Sequence, residues 1–290
     1  MKIVKYVGGL GNQMFIYAFS VALRETFKQE ILVDTHYYKS FKFHQGLEIS
    51  KVFGVELKEA KVKDILKLAW YFPNYWVDFH LLRYFPRRKT MQGELPRGEF
   101  NESIFLDASD KYYDGFWQNC EFFNKFKEVI VKELTFKPEL SGQNQDMLNQ
   151  ILLNENSVCI HVRRGDYLNN WRYKGLCGLD YYAKAIEYIQ SKMQHPVYYL
   201  FSDDIEYLEQ NVCPLLNGAE YKIVNWNRGA DSYIDMQLMS CCQNLIIANS
   251  SFSWWAAYLN KRNPIVVAPE KWSNNTDVKF RRQAPGWITF

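Results

Sequence analysis

Between residues 157 and 268 the chain alternates short apolar runs with helix-forming segments, and no other feature narrows the fold as far. Apolar runs lie at 158–163, 197–202, 222–226, 244–248 and 265–268. Helical segments fall between them at 180–192, 204–211, 231–241 and 252–261. A run that is apolar throughout, without polar alternation, suits a strand buried on both faces. Strands alternating with helices suit a parallel sheet with crossover helices, so this half of the chain is expected to be Rossmann-like.

The N-terminus repeats the theme. "KIVKYV" (2–7) reads as a strand, "GGLGNQ" (8–13) as a glycine turn, and the segment from 12 to 29 as a helix with apolar residues at 14, 18 and 22 and at 15, 19 and 23. "ILVD" (31–34) is the next strand, completing a βαβ opening. The 290 residues suffice for two domains. "FKPELSGQNQ" (136–145), with its Pro, Gly and polar residues, is the expected boundary, giving domains at 1–140 and 141–290. The fold class is therefore α/β with two Rossmann-like domains.

Residues 35–150 are less regular. The stretch 66–89 is crowded with aromatics and ends in Arg87, Arg88 and Lys89. One reading is a packed helix pair broken at Pro73 and Pro86. The sharper one is a patch that makes peripheral contact with a membrane or a lipid-linked substrate.

Composition excludes several classes. A net charge of +3 in a mixed-sign chain argues against a nucleic-acid partner. Aromatics make up 17% of residues, which suits core packing or sugar stacking. The six cysteines (Cys120, Cys159, Cys177, Cys213, Cys241, Cys242) include no C-x-x-C pair, so a zinc site is not expected. The start runs directly into a strand, and no stretch of about twenty apolar residues occurs. The expectation is a cytoplasmic protein that does not span a membrane.

In open parallel sheets ligands bind beyond the carboxyl ends of the strands. Four polar clusters fall there: "HVRRGD" (161–166), "FSDD" (201–204), "NWNRG" (225–229) and "NSSFSWW" (249–255). Arg163 and Arg164 could grip a diphosphate, and lysines would do so less well. Their alternative is an internal ion pair with Asp203 or Asp204. Ser250, Ser251 and Ser253, at a helix start, suit an anion through hydroxyls and free N–H groups, or they simply cap the helix. "GGLGNQ" lets backbone approach a ligand. It is neither a Rossmann fingerprint, because Met14 stands where the third glycine belongs, nor a P-loop. The Arg-Gly-Asp at 164–166 adjoins a buried strand, which argues against an adhesion role. "SDD" (202–204) lacks the spacing of the acidic metal motif of some sugar transferases.

Together "GGLGNQMF", "HVRRGDY", "FSDD" and "NSSFSWW", in that order and over essentially the whole chain, resemble the α-1,2-fucosyltransferases of glycosyltransferase family 11. The H-x-R-R-x-D motif is shared with α-1,6- and protein O-fucosyltransferases. The resemblance implies a GT-B-like fold with the donor held mainly by the C-terminal domain. It implies inverting transfer of L-fucose from GDP-β-L-fucose to the 2-hydroxyl of a galactose, with no metal or other cofactor. The acceptor would be a galactose-terminated oligosaccharide or a lipid-linked glycan.

By the same resemblance, Arg163 would grip the diphosphate and Arg164 support it. His161 and Asp235 would hold the nucleoside, with Asp235 accepting from guanine N–H groups. Ser250, Ser251 and Phe252 would line the diphosphate, and Gly11 and Asn12 would approach the donor from the other domain. Asp166 is the candidate general base, although the same carboxylate could lock the arginines. The α-1,6 relatives place a glutamate further along this loop, where the present chain has Trp171 and no carboxylate. Other readings are a different fucosyl linkage such as α-1,6, a non-catalytic sugar-binding protein, and a nucleotide-binding regulator.

Overall fold

The computed structural model describes residues 1–40, 44–72, 74–94, 98–275 and 282–290. The chain forms two compact units, one from Met1–Lys137 and one from most of the chain beyond Pro138. Each is a parallel sheet with helices.

In the first unit, β1 (Lys2–Lys5) pairs in parallel with β2 (Ile31–Asp34) on one side and β4 (Lys111–Asp114) on the other, and β3 (Met91–Gly93) adds to β4. The order is β2-β1-β4-β3. The crossover helix Leu10–Phe27 is buried nearly all round through its first four turns, as a helix lying against a sheet and a second apolar layer must be. Phe19 on this helix stacks flat on Trp117, with centroids 3.9 Å apart and planes 6° from parallel. Tyr113 and Phe122 meet Phe19 edge-on. Trp117 is fully buried and sits at φ +53°, a left-handed conformation that a bulky residue adopts only where packing demands it.

The helix begins earlier than its sequence suggests. Gly9 is its N-cap and Leu10 its first residue, so Gly11 and Asn12 lie in the first helical turn. Gly8 alone carries the turn, at φ +81°. The cause is Gln13, which is buried. Its amide donates to the carbonyls of Gly8 (3.0 Å) and Gly46 (2.7 Å), and its oxygen accepts from the N–H groups of Glu48 (2.9 Å) and Ile49 (3.1 Å). Tyr38 adds a bond from its hydroxyl to the Gly8 carbonyl.

The aromatic stretch forms the helices Val62–Leu68 and Tyr75–Leu81 and a 3-10 turn Leu82–Tyr84. Pro73 lies outside the described residues. The chain leaves helical geometry at Phe85, as the residue before Pro86 should. Arg88 caps the first helix: its guanidinium donates to the carbonyls of Leu66 (2.7 Å), Lys67 (2.7 Å) and Ala69 (3.2 Å). Phe85 packs on Trp70 and Phe72. The helices are too short to bury every aromatic, and Trp76 and Tyr84 stay 50% and 70% exposed. A fully packed pair is therefore not what forms.

The second unit has the order β10-β9-β8-β5-β6-β7, all parallel, from β5 (Ser157–Val162), β6 (Val197–Ser202), β7 (Tyr221–Val224), β8 (Asn244–Ile246), β9 (Val266–Ala268) and β10 (Ile288–Thr289). Helix Leu179–Lys192 packs Tyr181, Tyr182, Ala185, Ile186 and Ile189 into the core beside β5 and β6. The segment expected as helix 204–211 is one helical turn, Ile205–Tyr207, running into a π turn, Leu208–Val212. The order reverses at β5: β6 and β7 extend to one side, and β8 to β10 to the other. That reversal opens a crevice beyond the carboxyl ends of β5 and β8.

Gln13→Ala removes two donor and two acceptor contacts in a buried turn. It should destabilise the protein by roughly 2–4 kcal/mol in urea unfolding. An unchanged midpoint would show that the turn does not depend on this side chain.

Candidate active site

His161 and Val162 close β5, and the next four residues form the crevice wall. Arg163 donates from Nη2 to Asp166 (2.7 Å) and pairs through Nη1 with Asp203 (3.0 Å). The Arg164 backbone N–H donates to the other Asp203 oxygen (2.9 Å), and its Nε to Asp204 (2.9 Å). The Arg164 guanidinium also lies over the Tyr207 ring, 3.5 Å from its centroid. The neighbouring arginines thus diverge, each held by its own acid. Gly165 is required beside them, because a Cβ there would fall 2.6 Å from Asp203 Oδ2. Burial works against the charge of Arg163, but the Asp203 and Asp166 carboxylates outweigh it and keep the guanidinium protonated. The Asp204 carboxyl is lowered by the Tyr207 backbone N–H and then by Arg164.

His161 is buried, and burial lowers its pKa to about 4; Asp203 opposes this and Arg163 adds to it. The imidazole is neutral at pH 7. Its Nδ1 is buried and has no protein partner. Its backbone carbonyl accepts from the Tyr182 hydroxyl (3.0 Å), and its ring lies beside Phe252, with centroids 6.1 Å apart.

Beyond β8, helix Ser251–Leu259 opens toward the same crevice. Ser250 is its N-cap, accepting from the Phe252 N–H (3.3 Å), so one expected ligand hydroxyl also does structural work. Ser253 is fully buried against the Ala248 and Ser250 carbonyls. Ser251 and Phe252 are half-buried. Asn249 is buried with its Nδ2 unpartnered, and its carbonyl accepts from the Tyr167 hydroxyl (3.2 Å).

Asp235 lies on helix Tyr233–Met239, which packs against helix Ser251–Leu259. Asn227 donates to it (2.7 Å) and is in turn bonded to Asn144, which also accepts from the Trp226 indole (2.8 Å). Burial raises the Asp235 carboxyl to about 7, against the pull of Asn227 and Arg228.

The loop after Asp166 is well tied. Tyr167 stacks on Tyr173 at 4.6 Å, and Arg163 lies over the Tyr167 ring. Asn274 donates to the carbonyls of Arg172, Trp171 and Lys174. Trp171 remains 64% exposed on this tethered backbone.

The structure therefore brings His161, Arg163, Arg164, Asp166, Ser250, Ser251 and Phe252 to one crevice, with Asp235 on the helix beside it. Gly11 and Asn12 belong to the first unit, where Asn12 Oδ1 accepts from Gln118 Nε2 (2.6 Å). The arginine pair, read from sequence as facing either a phosphate or an internal acid, is seen here with the internal acids. Sequence reasoning missed Asn249, Asn227 and Tyr167. A polar residue directly after an apolar strand was the available signal for Asn249, and only the network around Asp235 reveals Asn227. Among the described residues, no group of three or more His, Cys, Asp or Glu is placed to hold a metal ion.

Comparison with known proteins gives the family and the fold. The chain is 31% identical to an α-1,2-colitosyltransferase of Escherichia coli over 298 aligned positions, covering 99% of this chain and 97% of the relative. It is equally similar, at 31%, to the O-antigen biosynthesis glycosyltransferase WbnK of Escherichia coli, covering 97% of each. The human galactoside α-(1,2)-fucosyltransferase 1 is 26% identical over 69% of this chain and 58% of its own length. Among solved structures, the NodZ α-1,6-fucosyltransferase soaked with GDP-fucose superposes with a TM-score of 0.53 at 17% identity, over 89% of this chain and 92% of that one. That likeness shows the fold, which is GT-B-like. The family profile of Glycosyl transferase family 11 matches residues 2–290, and the chain belongs to that family.

Proposed function

We propose that this family 11 transferase is a galactoside 2-α-L-fucosyltransferase. It would move L-fucose from GDP-β-L-fucose to the 2-hydroxyl of a β-galactoside with inversion, in the synthesis of a surface polysaccharide or related glycan. The observation that carries the reading is that Arg163 follows β5 and helix Ser251–Leu259 follows β8, the neighbouring strand at the sheet's switch point, with neutral His161, its Nδ1 unpartnered, beside Phe252 of that helix. A cation, a helix N-terminus and a neutral ring nitrogen form a donor set suited to a nucleoside diphosphate. The second unit takes the donor and the first the acceptor. Asp235, with Asn227 holding one oxygen, accepts from guanine N–H groups.

In the reaction the acceptor oxygen attacks the anomeric carbon and the bond to the β-phosphate oxygen breaks. Negative charge collects on GDP, and the acceptor proton goes to a base. Arg163, supported by Arg164, and the N–H groups at Ser251 and Phe252 meet that charge in place. We expect no metal here: Asp203 and Asp204, the acids beside the arginines, are paired with them, and the arginines supply the positive charge. Asp166 has a specific route to act as the base. In this structure its carboxylate is occupied by Arg163. When the diphosphate takes the guanidinium, Asp166, the more exposed of the two partners of Arg163, is released, while Asp203 stays tied to the Arg164 N–H.

A second reading keeps the site and changes the sugar. The chain is 31% identical to the colitosyltransferase and 26% identical to the human α-(1,2)-fucosyltransferase, so colitose, the 3-deoxy analogue of fucose, is the competing donor sugar. Side-by-side turnover of the two GDP-sugars decides between them.

With EDTA present, wild type should fucosylate β-galactosides and Arg163→Ala should lose about 10²–10³-fold in rate. Loss of wild-type transfer in EDTA would sink the metal-free mechanism, and a product linked elsewhere than the 2-hydroxyl would sink the linkage. Asp166→Asn should lower kcat while GDP binds as well as before or more tightly, because a competing anion is gone. Weaker GDP binding in this variant would instead mark Asp166 as a structural lock. Guanine recognition requires the charged form of Asp235, which forms as pH rises through about 7. GDP affinity should therefore increase between pH 6 and about 8 in titration calorimetry. Asp235→Asn should flatten that profile and erase the preference for GDP over IDP; an unaltered profile would remove Asp235 from the base site.

A further inference from the structure

The first unit carries a surface that the transfer reaction does not use. Residues 61–89 hold seven Lys and Arg against two Asp, a net of +5 in a chain whose total is +3, so the remainder is net negative. The same segment concentrates exposed apolar side chains. Leu66, Trp76, Leu81, Tyr84 and Phe85 are all solvent-facing large hydrophobics. Their neighbours Ile65, Leu68 and Ala69 point inward and anchor the segment on the core with Ile3 and Tyr112. Arg88 ties residues 85–88 to the end of helix Val62–Leu68, and the Trp70 indole donates to the Pro86 carbonyl (2.9 Å), which holds Phe85 beside that helix; Trp76, Leu81 and Tyr84 lie on the helix and turn that lead into Phe85. Leu66, Phe85 and the cations around them therefore share one face.

We propose that this face docks on the surface of an anionic lipid bilayer. The chemistry matches on both counts. Indole and phenol rings partition to the headgroup boundary, and Lys and Arg beside them gain from negative lipid charge. The observations disfavour a second copy of the chain, because two faces of +5 would repel one another. The contact is peripheral: among the described residues no helix is long and apolar enough to cross a membrane. Binding is expected to be reversible and to weaken as salt screens the cations. The inference does not rest on the identity of the donor sugar.

The test is co-sedimentation of the full chain with phosphatidylcholine vesicles, with and without phosphatidylglycerol, at low and high salt. The protein should pellet with the anionic vesicles at low salt, remain in the supernatant with the zwitterionic ones, and be released by high salt. Reversing two exposed charges, Lys63→Glu with Lys89→Glu, should weaken partitioning at least about tenfold. Trp76→Ser with Tyr84→Ser should weaken it as well. Unchanged melting curves and GDP binding would show that the variants are folded. Failure to pellet with anionic vesicles, equal pelleting without vesicles, or charge-reversed protein that partitions like wild type would each overturn the proposal.

Discussion

The carboxylate of Asp203 organises the carboxyl edge of the second unit's sheet. It stands at the end of β6 and binds three parts of the segment that leaves β5: the Arg163 guanidinium, the Arg164 backbone N–H, and the space where a Gly165 side chain would otherwise sit. Two adjacent arginines would repel in an unconstrained loop. Here one carboxylate fixes the backbone between them and sends their side chains apart, with Asp166 and Asp204 completing the neutralisation. The bond runs between adjacent strands of one sheet, so the geometry of the arginines is inherited from the β5–β6 register.

The first unit uses the same plan with other means. Its strand order also reverses at the first strand, between β1 and β4, and the segments after those two strands meet there through the Asn12–Gln118 bond. Lys5 and Asp114 pair across the ends of β1 and β4 (3.8 Å), while the turn itself is held by buried polar bonding from Gln13 and aromatic packing around Trp117. A tryptophan at positive φ is tolerated because Phe19, Tyr113 and Phe122 enclose its ring. Each unit therefore presents loops at the carboxyl edge of its sheet, the second with its two arginines and their acids, the first with the Gln13 turn beside the Lys5–Asp114 pair.

Much of this was legible in the chain. The strands β5 to β9 read clearly because a strand buried on both faces must be apolar throughout, and the convergence of "HVRRGD" and "NSSFSWW" followed from the rule for parallel sheets. β3 and β10, of three and two residues, carry no periodicity to detect. β4, "KYYD", was lost among tyrosines that could equally serve a helix or a loop. The helix start at Leu10 was obscured because its stabilising partner, Gln13, reaches to residues 46–49, which are distant in sequence. The burial of Asp235 depends on Asn227 and Asn144, and its place in a helix suggested only a solvated face.

The pairing of Arg163 with Asp166 and Asp203 also bears on which anions the second unit ignores. A bare guanidinium would collect any small anion in the surrounding solution. One already satisfied by two carboxylates gives a lone phosphate or sulfate little to gain, since each new contact must replace an existing one. Only a molecule that brings further contacts at the same time can tip the exchange. The internal acids thus act as a discriminator, making occupancy depend on the whole ligand instead of on its charge.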